Sequence, residues 1–241
     1  MGALTFVALL ALHAHPDRPV LWLSPSGKIE VAGRPVDARI TTGASQIPIP
    51  GGFGYDFTGV HGGILLDDIP ELRLTGSMTI SVWLNLRAYV DSGPGAQVLF
   101  RGDDRGGLDP YDLVIHSDGT IWFAIVNQEN LGFGICGEIP LNHWTQVVAS
   151  FDSNRSEMQL WIDRRRIAAA VTSRRPFENL DLAFAPGIGI GNVQNDRGPH
   201  NQPLDGVLAD LRLYRGAYSP EDIDDGIPPW AREPSVRFGS P

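Results

Sequence analysis

Four aromatic residues, Trp83, Trp122, Trp161 and Tyr214, each fall one step out of phase with the apolar row of their segment. In Thr120–Val126 the row is Ile121, Phe123 and Ile125, and Trp122 and Ala124 take the other parity. Successive side chains on a strand point to opposite faces, so such an aromatic is expected on the outer face of a sheet. A flat aromatic there can stack on the C–H face of a sugar ring while neighbouring acids and amides take its hydroxyls. Asp103, Asp104, Tyr111, Asn127, Gln128 and Asn130 are the polar groups expected to do so. The alternative is that these aromatics are core, because sandwiches bury large rings.

The residues for bond-breaking chemistry are not in recognisable patterns. Glu30, Glu71, Glu129, Glu138, Glu157, Glu178, Glu221 and Glu233 stand singly. There is no Gly-x-Ser-x-Gly elbow and no His-Glu-x-x-His pair. Beyond His13-x-His15 the histidines show no ligand spacing. Cys136 is the sole cysteine, so neither an intrachain disulfide nor a thiolate metal cluster can form. It sits in the apolar run Gly132 to Ile139 and reads as a small core side chain. Arg101-Gly102-Asp103 matches an adhesive tripeptide, a match too short to carry information by itself. Asn154-Arg155-Ser156 fits a glycosylation sequon, which matters only in a eukaryotic secretory pathway.

The elements that must position these groups are strands. Gly76 to Leu86 has Met78, Ile80, Val82, Leu84 and Leu86 on every second residue and no proline, so it reads as a central strand. Further strands are expected at Val20–Leu23, Lys28–Val31, Gly54–Phe57, Gly63–Leu66, Gln97–Arg101, Asp112–His116, Thr120–Val126 and Gly132–Ile135. Others follow at Trp144–Asp152, Met158–Ile162, Arg166–Ala170, Gly187–Gly191 and Gly206–Tyr214. A wandering loop is expected between Val31 and Gly54, where prolines cluster. Ser117-Asp118-Gly119 reads as a hairpin turn. Ser219-Pro220-Glu221-Asp222 reads as an N-cap and proline opening one helical turn.

With 28 glycines and 19 prolines among 241 residues, many turns and little helix are expected. The fold class that follows is all-β, a two-sheet antiparallel sandwich, in one domain over residues 16–225. The formal net charge of −9 argues against nucleic acid, which needs a basic field; the arginines at 164–166 and 174–175 read as a solvated hairpin. Ala3 to Leu12 is apolar but too short to span a bilayer. Residues 1–15 resemble a signal peptide lacking its positive region. Residues 226–241 form a proline-rich tail, expected to be ordered only where Trp230 or Phe238 finds a groove.

In order, these motifs resemble the laminin-G-like jelly-roll family of the concanavalin A-like lectin/glucanase superfamily. Tyr55 to Gly59 answers the family's Phe-Asp-Gly, with two residues between Asp56 and the glycine. Ser77 to Trp83 answers Ser-x-Thr-Ile-Ser-x-Trp, Leu99 to Asp103 the strand ending in Arg-Gly-Asp, and Pro140 to Ala149 the Pro-Leu-Asn-x-Trp-Thr segment. Met158 to Asp163 follows the pattern with Arg164 in place of the usual glycine, and Gly206 to Ile223 answers the closing strand. The resemblance covers roughly residues 50 to 224 and implies two packed antiparallel sheets with an extracellular binding or accessory role. It also implies a Ca²⁺ site shared by Asp56 and Asp210, the alternative being an aspartate paired with Arg212 or Arg101. The Glu-x-Asp-x-x-Glu run of the superfamily's laminarinase-type enzymes is missing. The expectation is therefore a secreted, cell-surface or periplasmic, non-catalytic module that binds carbohydrate or an extracellular protein, with a glycoside hydrolase, a polysaccharide lyase or a structural accessory domain as alternatives.

Overall fold

The computed structural model describes residues 16–193, 201–223 and 227–232; the expected signal peptide at 1–15 and Phe238 lie outside them. The strands are β1 (Leu21–Leu23), β2 (Ile29–Val31), β3 (Arg34–Pro35), β4 (Arg39–Ile40), β5 (Ala44–Ile49), β6 (Gly52–Thr58), β7 (Ile64–Asp67), β8 (Met78–Leu86) and β9 (Ala96–Gly102). They continue as β10 (Tyr111–Ile115), β11 (Thr120–Val126), β12 (Gly132–Glu138), β13 (Thr145–Asp152), β14 (Glu157–Ile162), β15 (Arg165–Val171), β16 (Gly187–Ile190) and β17 (Asp205–Arg215). They form two antiparallel sheets, the jelly-roll sandwich expected. One sheet has ten strands in the order β15-β14-β13-β8-β17-β1-β2-β3, with β6 also on β17 and β5 on β6. The other has seven, β12-β11-β10-β9-β16-β7-β4. Among the described residues no helix is long and apolar enough to cross a membrane.

Strand β8 is central, between β13 and β17. Its row Met78, Ile80, Val82, Leu84 and Leu86 is at most 1% exposed and faces the core. The opposite sheet answers with Leu113, Ile115, Ile121, Phe123, Ile125, Ile188 and Ile190. Burial of each such side chain contributes about 1.5–3 kcal/mol relative to exposure. The alternate row of β8 is buried as well, which a two-layer sandwich alone does not produce. The C-terminal segment covers it: Trp230, in the helical turn α1 (Pro229–Arg232), packs with Trp83 and Trp144.

Strand β17 is long enough to serve two neighbours along one edge. Asp205 to Leu208 pair with β6, and Leu211 to Leu213 pair with β1. The register against β8 shifts between Ala209 and Arg212, where Asp210 adopts a φ of 49°. Such a bulge lets one strand change direction between partners.

Two expectations need correction. Residues 32–53 hold three short strands, β3, β4 and β5, rather than one loop. Pro48 lies in β5, which pairs only with β6, and an edge strand tolerates a missing N–H. Ser219 to Asp222 closes as a turn, not a helix: the Ser219 amide and hydroxyl donate to Asp222 Oδ2, and the Asp222 amide donates to the Ser219 carbonyl. The arginine of Arg101-Gly102-Asp103 is fully buried, its fork on Asp68 at 2.8 and 3.1 Å, so it is closed to an adhesion receptor.

Candidate functional site on the outer face of the seven-stranded sheet

The alternation along β11 sends Trp122 outward, and the register lines it up with Val114 on β10 and Cys136 on β12. One row further, Ala124 stands beside Asp112, Asp112 beside Phe100, and Phe100 beside Gly189. The half-buried Trp122 ring stacks on His116 at 5.5 Å and 16°, and its N–H donates to Thr120 Oγ1. Toward the β12 edge it stands opposite Cys136, with Gly134 and Glu138 diagonal to it, so the small side chains of Cys136 and Gly134 leave part of that flank of the indole low.

Next to this row is a cleft of about 360 Å³. Gln97, Phe100 and Asp112 line it from the sheet, and the glycine-rich loop 102–110 walls one side. Val193 and Gln202 wall the other. Gly189 makes that second wall possible: a Cβ there would sit 2.1 Å from the Asn192 carbonyl, so only glycine lets the chain fold back over its own strand.

Internal bonds shape the loop. Arg105 forks onto Asp103, Nη2 to Oδ2 at 2.5 Å and Nε to Oδ1 at 2.9 Å, and lies over the Phe184 ring at 5.5 Å. Burial opposes the Asp103 charge, but the Arg105 side chain and the amides of Arg105 and Asp181 outweigh it and hold the carboxyl below its usual range. Asn130, at a φ of 56°, accepts the Leu108 amide at 3.0 Å and ties the loop to the β11–β12 hairpin. Asp109 and Asp112 behave oppositely. Burial, then the charges of Asp112 and Asp103, pushes Asp109 up to about 8. Burial pushes Asp112 up to about 7 against hydrogen bonds from Gln97 and the Ala124 backbone.

The expected ligand residues divide between this face and other places. Trp122, Asp103 and Asp104 are here, though Asp103 is 3% exposed and committed to Arg105, so it shapes the loop rather than meeting a ligand. The Asp104 amide donates to the Phe184 carbonyl. Asn130 supports the loop from behind, while Asn127 and Gln128 line a separate hollow of about 430 Å³ near Glu178 and Asn179. Asn127 also closes its own hairpin by accepting the Leu131 amide. Tyr111 is a correction: it shares parity with Leu113 and Ile115, is fully buried, and donates to the Leu72 carbonyl at 2.6 Å. Trp83 and Trp161 are corrections too. Both lie on the ten-stranded sheet and are covered, Trp83 by Trp144 and Trp230, Trp161 by Val148, Tyr214 and Ile223. Gln97, Phe100, Asp109, Asp112 and Gln202 were not anticipated. The out-of-phase position of Asp112 was a readable signal; nothing local marks Gln202.

Strands β6 and β17 do lie side by side, as an ion shared by Asp56 and Asp210 would need. Arginines already answer both acids. Arg87 bridges Asp56 at 2.5 Å and Asp205 at 2.8 Å, and also donates to the Phe57 carbonyl. Asp210 accepts from Trp22 Nε1 at 2.7 Å and from Arg212 Nε and Nη2 at 2.9 and 2.8 Å. Calcium takes six to eight oxygens, several of them carboxylate. Among the described residues no three His, Cys, Asp or Glu side chains are grouped to hold a metal ion. Asp56 and Asp210 as arranged do not fit a calcium ion.

Solved structures of the same shape include the binding domain of Paraclostridial Mosquitocidal Protein 1, at a TM-score of 0.65 and 15% identity over 86% of this chain and 51% of that one. The chain thus spans about half of that domain's length. Domain 4 of AbnA, an extracellular GH43 arabinanase from Geobacillus stearothermophilus solved with arabinotriose, aligns at 0.61 and 15% identity over 86% and 97% of the two chains. The CBM40 of a Ruminococcus gnavus IT-sialidase, bound to α2,3 sialyllactose, aligns at 0.56 and 16% identity over 70% and 93%. At these identities the likeness establishes the fold alone. No curated protein matches the sequence. A laminin-G family profile matches residues 58–224, more than half of the sequence, and the chain belongs to the concanavalin A-like lectin/glucanases superfamily.

Proposed function

We propose that the chain is a non-catalytic carbohydrate-binding module whose saccharide lies across the outer face of the seven-stranded sheet. The observation that carries this reading is the half-buried Trp122, stacked on His116 and low-walled toward β12, in a row that runs through Val114 to Gln97 and the cleft. The indole offers an apolar surface to a ring, and the cleft offers polar groups to its hydroxyls. Similar domains solved with arabinotriose and sialyllactose support the class of ligand. Replacing Trp122 by Ala is expected to abolish binding on a glycan array while the thermal unfolding midpoint stays near that of the parent. Unchanged glycan binding by a folded Trp122→Ala variant would refute the site. Export goes with this role; a chain from its native host that still begins at Met1 would remove that part.

One observation favours a hydrolase as the second reading. Asp109 and Asp112 are two carboxyls with raised pKa values in one cleft, the condition of a general acid. Against it, one oxygen of each is closed to solvent. Release of reducing ends from an oligosaccharide panel, lost on Asp112→Asn, would establish turnover; no release leaves the binding role.

A further inference from the structure

Three buried side-chain oxygens among the residues lining the cleft have no hydrogen-bond partner: Gln97 Oε1, Asp109 Oδ1 and Asp112 Oδ1. Gln97 Oε1 is an acceptor, and so is each carboxylate oxygen when its group is ionised. Gln97 is 3% exposed, and its Nε2 serves Gln202 Oε1 at 2.9 Å and the Asp112 carboxyl. The cation that lines the same cleft, Arg105, is forked onto Asp103. A buried acceptor without a donor is costly, so what this cleft lacks is donors.

We propose that the cleft takes a neutral saccharide through adjacent ring hydroxyls and rejects sugars that carry a carboxylate. The inference rests on the saccharide reading above and names the ligand class for that site. A pair of vicinal hydroxyls supplies O–H donors to closely placed acceptors. A carboxylate supplies none, and its charge would be buried beside Asp109 and Asp112, where burial already disfavours charge on both carboxyls. The three oxygens lie just beneath the accessible surface, so binding requires the loop 102–110 to lift slightly. Gly106 at its tip faces open space, a Cβ there meeting no atom within 4 Å, while Asn130 and Phe184 hold its flanks. Discrimination of this kind comes from leaving buried polar groups unpaired with the wrong ligand.

The test is calorimetric titration of the whole chain with matched pairs, lactose against sialyllactose and neutral against glucuronate-bearing oligosaccharides, with arabinotriose included. Neutral members are expected to bind at least tenfold more tightly than their acidic counterparts. Asp112→Asn, and separately Asp109→Asn as a guard against one variant misfolding, should weaken neutral binding at least threefold and narrow the gap. Acidic sugars bound as tightly as neutral ones, with Trp122→Ala abolishing both, would overturn this inference and leave the saccharide reading standing. No binding to any member would overturn both.

Discussion

Replacing Asp112 by Asn should stabilise the protein, and should do so more at pH 8 than at pH 5. The folded protein holds the Asp112 carboxyl at about 7, whereas an unfolded aspartate titrates near its model value of 3.8. Between those values the native state carries a proton that the unfolded state has released. Stability from this group is therefore complete below about pH 4 and lost as pH rises through about 7. Three pKa units correspond to about 4 kcal/mol at full burial. With water in the adjoining cleft raising the local dielectric, about 2 kcal/mol is the expected loss across the window. Asparagine does not titrate, so it escapes that loss. Its amide also brings donors to a place where Gln97 Oε1 has none. Urea denaturation of both proteins at pH 5 and pH 8, with slopes compared to confirm two-state behaviour, reads the effect directly. A difference between variant and parent that is the same at both pH values, within about 0.5 kcal/mol, would refute the reasoning.

Removing Arg101 leaves the Asp68 carboxylate, which is 4% exposed, with Arg73 at 3.1 Å as its remaining partner, and Arg101→Met is expected to cost about 3 kcal/mol; a double variant with Asp68→Leu should recover part of that in a denaturation cycle. Arg164 holds a φ of 67° in the β14–β15 turn, so Arg164→Gly should raise stability by about 0.5–1 kcal/mol, checked by thermal unfolding. Truncating Trp230, which is 3% exposed against Trp83 and Trp144, is expected to cost about 3–5 kcal/mol and to shift indole fluorescence to the red; no shift would mean that the C-terminal segment does not cover that face.

Strand content was legible because a strand writes its two faces in alternate letters. Met78 to Leu86 and Thr120 to Val126 declared their inward rows, and Gly187 to Ile190 declared a strand under a close neighbour. Parity could also separate Tyr111, expected among the ligand groups, from Asp112, since Tyr111 keeps step with the inward Leu113 and Ile115. Parity has no term for what lies on top of an outer face. Trp83, Trp122 and Trp161 carry the same signature, yet the C-terminal segment covers one, Tyr214 and Ile223 cover another, and only Trp122 is left half open. The cleft illustrates the same limit. Gln97, Asp112 and Gln202 meet because three separated stretches converge on one sheet face, and convergence is a property of strand order and register. Likewise, whether Asp56 and Asp210 would hold an ion or an arginine turned on where Arg87 and Arg212 arrive, which depends on neighbours in space rather than in the chain.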